Sequence, residues 1–156
     1  MNRILFILLL FFSVAGCSYE PIMSNNNYDF YFKNLETQGD GEINEIISSR
    51  LLKNKGSKPY NINLKSKKTR NIISSNLKGD PTVFQIIVIS EYIISNEDQN
   101  ILSDKIEKRI TYNNINDKFE LDKYEDNLIR NLSINISDEI LTYVKSINKW
   151  LSNIMR

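Results

Sequence analysis

The sequence predicts an α+β fold, a two-layer sandwich in the order β-α-β-β-β-α, with a mixed four-stranded sheet and two helices on one face. Three observations lead there. Ile43, Ile46, Ile47 and Leu51 recur at helical spacing directly after the break at Gly39-Asp40-Gly41. Thr82 to Ile94 is the most strongly β-branched stretch of the chain. Nine apolar residues (Leu121, Tyr124, Leu128, Leu132, Ile136, Ile140, Val144, Ile147 and Leu151) follow one another at intervals of three or four.

The first strand is read at Tyr28-Asp29-Phe30-Tyr31-Phe32, an aromatic run bounded by polar residues. In the helix that follows, Asp40 serves as cap, Lys53 and Lys55 lie near the end, and Gly56 is the stop. Tyr60, Ile62 and Leu64 alternate with Asn61, Asn63 and Lys65, the period of a strand with one wet face, which resumes at Asn71 to Leu77 after a polar middle. Lys78-Gly79-Asp80-Pro81 is a turn. The strand Thr82 to Ile94 is central and apolar on both sides, with Phe84, Ile86 and Val88 on one face and Val83, Ile87 and Ile89 on the other. That two-sided character predicts a protein interface on the open face of the sheet. Asn96 to Asn100 forms a second turn, and Leu102, Ile106, Ile110 and Tyr112 share a face of a more polar edge strand. A long helix from about Asp117 to Ile154 lies along the sheet.

Apolar residues make up 41% of the 156 residues and charged ones 25%, which excludes a disordered chain and a polytopic membrane protein. There is no His and a single Cys, so the usual general bases, triad partners and transition-metal ligands are missing. No cofactor and no metal is expected. The frequent Asn and Ile carry no functional signal.

The amino terminus is the most specific feature. Arg3 precedes an apolar run from Ile4 to Phe12, followed by Ser13-Val14-Ala15-Gly16-Cys17, the build of a secretory signal over residues 1–16. The run is about half of the ~20 residues that a membrane-crossing helix needs. Val14-Ala15-Gly16-Cys17 resembles the bacterial lipobox, with Val where Leu is usual, and Cys17 is the expected lipidation site. Three acyl chains give stable anchoring, since each buried CH₂ contributes about 0.8 kcal/mol. Residues 17–27, with Pro21 and Ser24-Asn25-Asn26-Asn27, read as a lipidated tether, and 28–156 as a single domain. Ser18 stands where inner-membrane retention would place Asp, so the expected location is the outer membrane, lipid-anchored at its periplasmic face.

Charge is segregated along the chain. From Arg50 to Lys78 there are nine bases and no acid, while 13 of the 19 acids lie from Asp80 onward. A positive end results, and nucleic acid, an anionic headgroup, an acidic protein surface or solvent alone could answer to it. The patch lacks the interleaved aromatics of a single-strand binder, and an exported lipoprotein rarely meets nucleic acid. Lys67-Lys68 with Arg70 suit phosphate oxygens. Carboxylates at Asp122, Glu125, Asp126, Asp138 and Glu139 read as the wet side of the long helix. Trp150 reads as a core or interface aromatic.

With these features in place, the chain resembles the lipopolysaccharide-assembly lipoprotein family LptE in a divergent, alphaproteobacterial-like form. The residues that carry the likeness are Cys17-Ser18-Tyr19-Glu20-Pro21-Ile22, Ile43-Asn44 with Leu51-Leu52, Asp80-Pro81-Thr82, Glu91-Tyr92-Ile93-Ile94, and Thr111-Tyr112-Asn113. The resemblance implies a non-enzymatic lipoprotein that partners with and plugs the outer-membrane β-barrel LptD, assisting its assembly and the insertion of lipopolysaccharide into the outer leaflet. It also implies lipopolysaccharide contacts that by position fall on Lys65, Lys67, Lys68 and Arg70. Barrel interiors are usually polar, which fits the basic patch better than the two-sided apolar strand. A second reading is an auxiliary or substrate-binding periplasmic lipoprotein of an envelope transporter, and a third, without a triad to support it, is a hydrolase.

Overall fold

The computed structural model describes residues 28–97 and 99–154, with side chains described as far as Trp150. The expected signal, tether and Cys17 lie outside the described residues. Six elements follow one another: β1 (Phe30–Gly39), α1 (Gly41–Leu51), β2 (Lys58–Ser75), β3 (Pro81–Asn96), β4 (Gln99–Asn113) and α2 (Lys118–Ile154). The sheet runs β1-β2-β3-β4, with β1 parallel to β2 and the other pairs antiparallel. The mixed character follows from connection chemistry, since the two tight turns force antiparallel neighbours and the α1 crossover permits a parallel one.

Between the layers lie Tyr60, Ile62 and Leu64 of β2, Phe84, Ile86, Val88, Tyr92 and Ile94 of β3, and Ile43, Ile47 and Leu51 of α1. Leu128, Leu132, Ile136, Ile140 and Val144 of α2 close the core. At about 25 cal/mol per Å² of apolar surface removed from water, this single continuous layer is the main stabilising term. Asp117 starts α2 by accepting from the amides of Phe119 and Glu120 (2.9 and 3.1 Å), and Asp40 starts α1 by accepting from Ile43 (3.2 Å).

Three local expectations change. The first strand continues to Gly39, because a bulge between Phe32 and Asn34 resets its register and pairing with β2 goes on. β2 is one strand of 18 residues that does not pause in its polar middle. There Ser66 faces the helices and bonds the buried Ser90 hydroxyl at 2.9 Å, so the strand stays satisfied where its apolar signal lapses. Helix α1 ends at Leu51, ahead of Gly56. Gly56 serves a close crossing instead, where an added Cβ would sit 1.9 Å from the Phe30 nitrogen.

Candidate functional site

Alternation along β2 decides where its bases go. Lys65 and Lys67 share the open face of the sheet with Asn63 and Thr69, whereas Lys68 and Arg70 share the helix-facing side with Leu64 and Ser66. The four do not form one patch.

Each of the two inner bases meets acids from other elements. Lys68 Nζ lies 3.0 Å from Glu42 and 3.5 Å from Asp40 at the start of α1. Burial alone would lower its pKa, but the bond to Glu42 and the two carboxylate charges outweigh that and hold it above the ordinary lysine value. Arg70 reaches α2, where its Nε donates to both oxygens of Glu125 at 2.9 and 3.0 Å. Its guanidinium also stacks 3.7 Å above the Phe84 ring, and the Tyr112 hydroxyl donates to Glu125 at 2.6 Å. Desolvation, followed by that bond to a carboxylate, pushes the Tyr112 phenol up to about 12. Glu125 is therefore no solvating residue. Nor are Asp138, which pairs with Arg50 at 2.6 Å, and Glu139, which pairs with Lys108. Three bases of the run, Arg50, Lys68 and Arg70, are thus neutralised in space by acids of α2 and of the start of α1.

Lys65 and Lys67 make no ion pair among the described residues. Lys65 lies on the wall of a trough of about 610 Å³ across all four strands of the open face, with Glu36 and Gln38 of β1, Asn63 of β2, Glu91 of β3 and Lys105 of β4. Lys65, Glu91 and Lys105 stand side by side in register, and Asn63 and Ile93 form the adjoining rung. The trough is lined by polar side chains of mixed charge beside Ile93 and is open to solvent, which suits hydroxylated groups. Sequence reading missed Glu36, Gln38, Glu91 and Lys105, since only the strand register brings them together. Glu125 had a legible signal, lying four residues after buried Leu121 and four before buried Ile129.

The open face of β3 carries the apolar residues that its sequence predicts, partly covered except at Ile93, which is exposed. Val83, Ile87 and Ile89 are half-buried, and in register Ile89 sits between Lys67 and Glu107, and Ile87 between Thr69 and Arg109. Long polar side chains on both sides supply the stems that can cover such residues. Trp150 is 62% exposed and so lies outside the core. No group of three His, Cys, Asp or Glu residues that could hold a metal occurs among the described residues.

No family model matches the chain, and no curated protein does. Solved structures do match. The rare lipoprotein B from Shewanella oneidensis superposes with a TM-score of 0.60 at 18% identity, covering 76% of this chain and 98% of that one. A minor lipoprotein from Acinetobacter baumannii gives 0.58 at 13% identity, with 76% and 92% covered. Lipoprotein B from Nitrosomonas europaea gives 0.55 at 10% identity, with 80% and 90% covered. The chain shares the fold of these lipoproteins. At such identities the likeness is one of architecture, and it spans nearly the whole of each neighbour.

Proposed function

We propose that this protein is an outer-membrane lipoprotein, anchored through Cys17 and seated in the LptD β-barrel as its plug, where it assists barrel assembly and the passage of lipopolysaccharide to the outer leaflet. The observation that carries this reading is the shared sandwich with lipoproteins over 98% of the Shewanella structure, together with the lipobox at Val14 to Cys17. The open sheet face adds support. Its mixed charges and the polar side chains of the trough are compatible with a polar barrel wall, and the part-covered Val83, Ile87 and Ile89 lessen the conflict that the two-sided strand raised, with Ile93 left exposed. Lys65 and Lys67 are the bases free to meet lipopolysaccharide phosphates, while Lys68 and Arg70 would first have to leave their carboxylates.

Copurification tests the reading. The full-length chain carrying a carboxy-terminal tag is expressed in its native host or a near relative, the outer membrane is solubilised gently, and partners are identified by mass spectrometry. A stoichiometric β-barrel of the lipopolysaccharide-transport type is the expected result. Recovery of an inner-membrane transporter instead would overturn it and favour an auxiliary transport role.

A further inference from the structure

Large apolar side chains are exposed at both ends of the sandwich, Ile72, Ile73, Leu77 and Phe119 toward the β2–β3 turn and Leu52 and Trp150 at the other end. The described chain begins at this second end with Tyr28, and Lys58 N–H donates to the Asp29 carbonyl beside it. The end of α1 arrives at the same place, since Gly56 crosses against Phe30, and so does the end of α2, where Tyr60 donates to Asn148 and Lys145 lies 5.5 Å from the Tyr28 ring centre. Two large apolar side chains stand out into solvent here, Trp150 at 62% and Leu52 at 54% exposure. Around them are the exposed bases Lys53, Lys55 and Lys145. The nearby acids are engaged: Asp29 accepts from Ser57 and pairs with Lys58, and Asp138 holds Arg50. Glu97 also lies at this end, on the β3–β4 turn two strands away from β1.

We propose that this end seats on a surface of anionic phospholipid headgroups, with Trp150 and Leu52 in the interfacial layer and Lys53, Lys55 and Lys145 against the phosphates. Trp with adjacent lysines is the side-chain combination that the interface favours, because an amphipathic ring and a flexible cation each keep a polar tip wet over an apolar body. Anionic lipid attracts each such base. The chain outside the structure argues for the same occupant. Ser18 to Tyr28 is eleven residues, a reach of at most about 38 Å from Cys17. The opposite end, at the β2–β3 turn, lies roughly 56 Å further along β2. This inference rests on the lipid-anchored reading only for the short tether, because the surface itself is made of described residues.

The test uses the full-length chain and its sole tryptophan, Trp150. Protein is combined with vesicles of phosphatidylglycerol and phosphatidylethanolamine, or of phosphatidylcholine alone, with brominated acyl chains as quencher. The expected result is a blue-shifted emission quenched at least twofold in the anionic vesicles, and quenching cut by half or more in phosphatidylcholine and in a Lys53→Glu/Lys55→Glu/Lys145→Glu variant that circular dichroism shows to be folded. Unquenched emission while the protein stays with the vesicles overturns the proposal, as does equal quenching in both lipids. Emission that shifts only on adding a copurified barrel protein also overturns it, in favour of a protein partner. The mass of the amino-terminal peptide reports acylation of Cys17 separately. Without acylation the anchor reading fails, yet charge-dependent quenching at higher lipid concentration would still support the headgroup contact.

Discussion

Arg70 and Glu125 stand 55 positions apart in the chain and meet across the two layers, with one guanidinium nitrogen 2.9 and 3.0 Å from the two carboxylate oxygens. Tyr112 and Phe84 complete the contact, so β2, β3, β4 and α2 converge on one small cluster. It fastens the first half of the long helix to the far half of the sheet, where no strand among the described residues lies outside β2 because β1 ends at Gly39 opposite Ser66.

A double-mutant cycle of Arg70→Ala with Glu125→Ala, followed by urea unfolding, should give a coupling of about 1 kcal/mol, since Arg70 is 41% exposed and the pair is partly screened. Glu125→Ala alone should cost more than Arg70→Ala, because it also strands the Tyr112 hydroxyl. Strict additivity would show the contact to be energetically empty.

Two glycines with φ of +89° should respond differently to alanine. At Gly39 a Cβ would fall 2.1 Å from the Ser66 carbonyl oxygen, so Gly39→Ala should cost about 3 kcal/mol and disturb the β1–α1 junction. At Gly79 nothing lies within 4 Å, and only the backbone penalty of about 1 kcal/mol applies. Equal losses in thermal melts would contradict the close approach at Gly39.

Stability should fall on the alkaline side. The Tyr112 phenol is raised to about 12 in the folded chain, against about 10 when unfolded. Below pH 10 both states hold the proton and the contribution is intact. Between about pH 10 and 12 only the unfolded state releases it, so stability drops with rising pH. Tyr92 and Tyr60 are raised as well, both chiefly by burial. Absorbance at 295 nm should show late-titrating tyrosines, and Tyr112→Phe should flatten part of the pH dependence of the melting temperature. A pH-independent melt between 9 and 12 would refute this.

Charge reversals should separate by face. Lys65→Glu and Lys67→Glu should leave stability within about 0.5 kcal/mol and weaken retention on immobilised lipopolysaccharide about tenfold. Lys68→Glu and Arg70→Glu place a carboxylate against Glu42 with Asp40, and against Glu125, and should lower stability by about 1–3 kcal/mol. Loss of lipopolysaccharide binding in the second pair without loss of stability would mean that these ion pairs open for the ligand.

By itself the sequence determined the order and type of the six elements, the Asp40 cap and the buried stripe of α2 from Leu128 to Val144, because each depends on a short-range period or a local cap that a few residues encode, though not the exposure of Tyr124. Parity along β2 also contained the split of Lys65 and Lys67 from Lys68 and Arg70, although a run of adjacent bases reads most easily as one patch. Only the tertiary structure decided which acids meet Arg50, Lys68 and Arg70, since Asp40 and Glu42 stand at the start of α1, Glu125 and Asp138 on α2, and local periodicity does not say which residues of separate elements will meet. The trough likewise exists only through register, which sets Lys65 beside Glu91 and Lys105. Local physics writes the elements into the chain, whereas a charge finds its partner only when packing brings distant segments within a few ångströms.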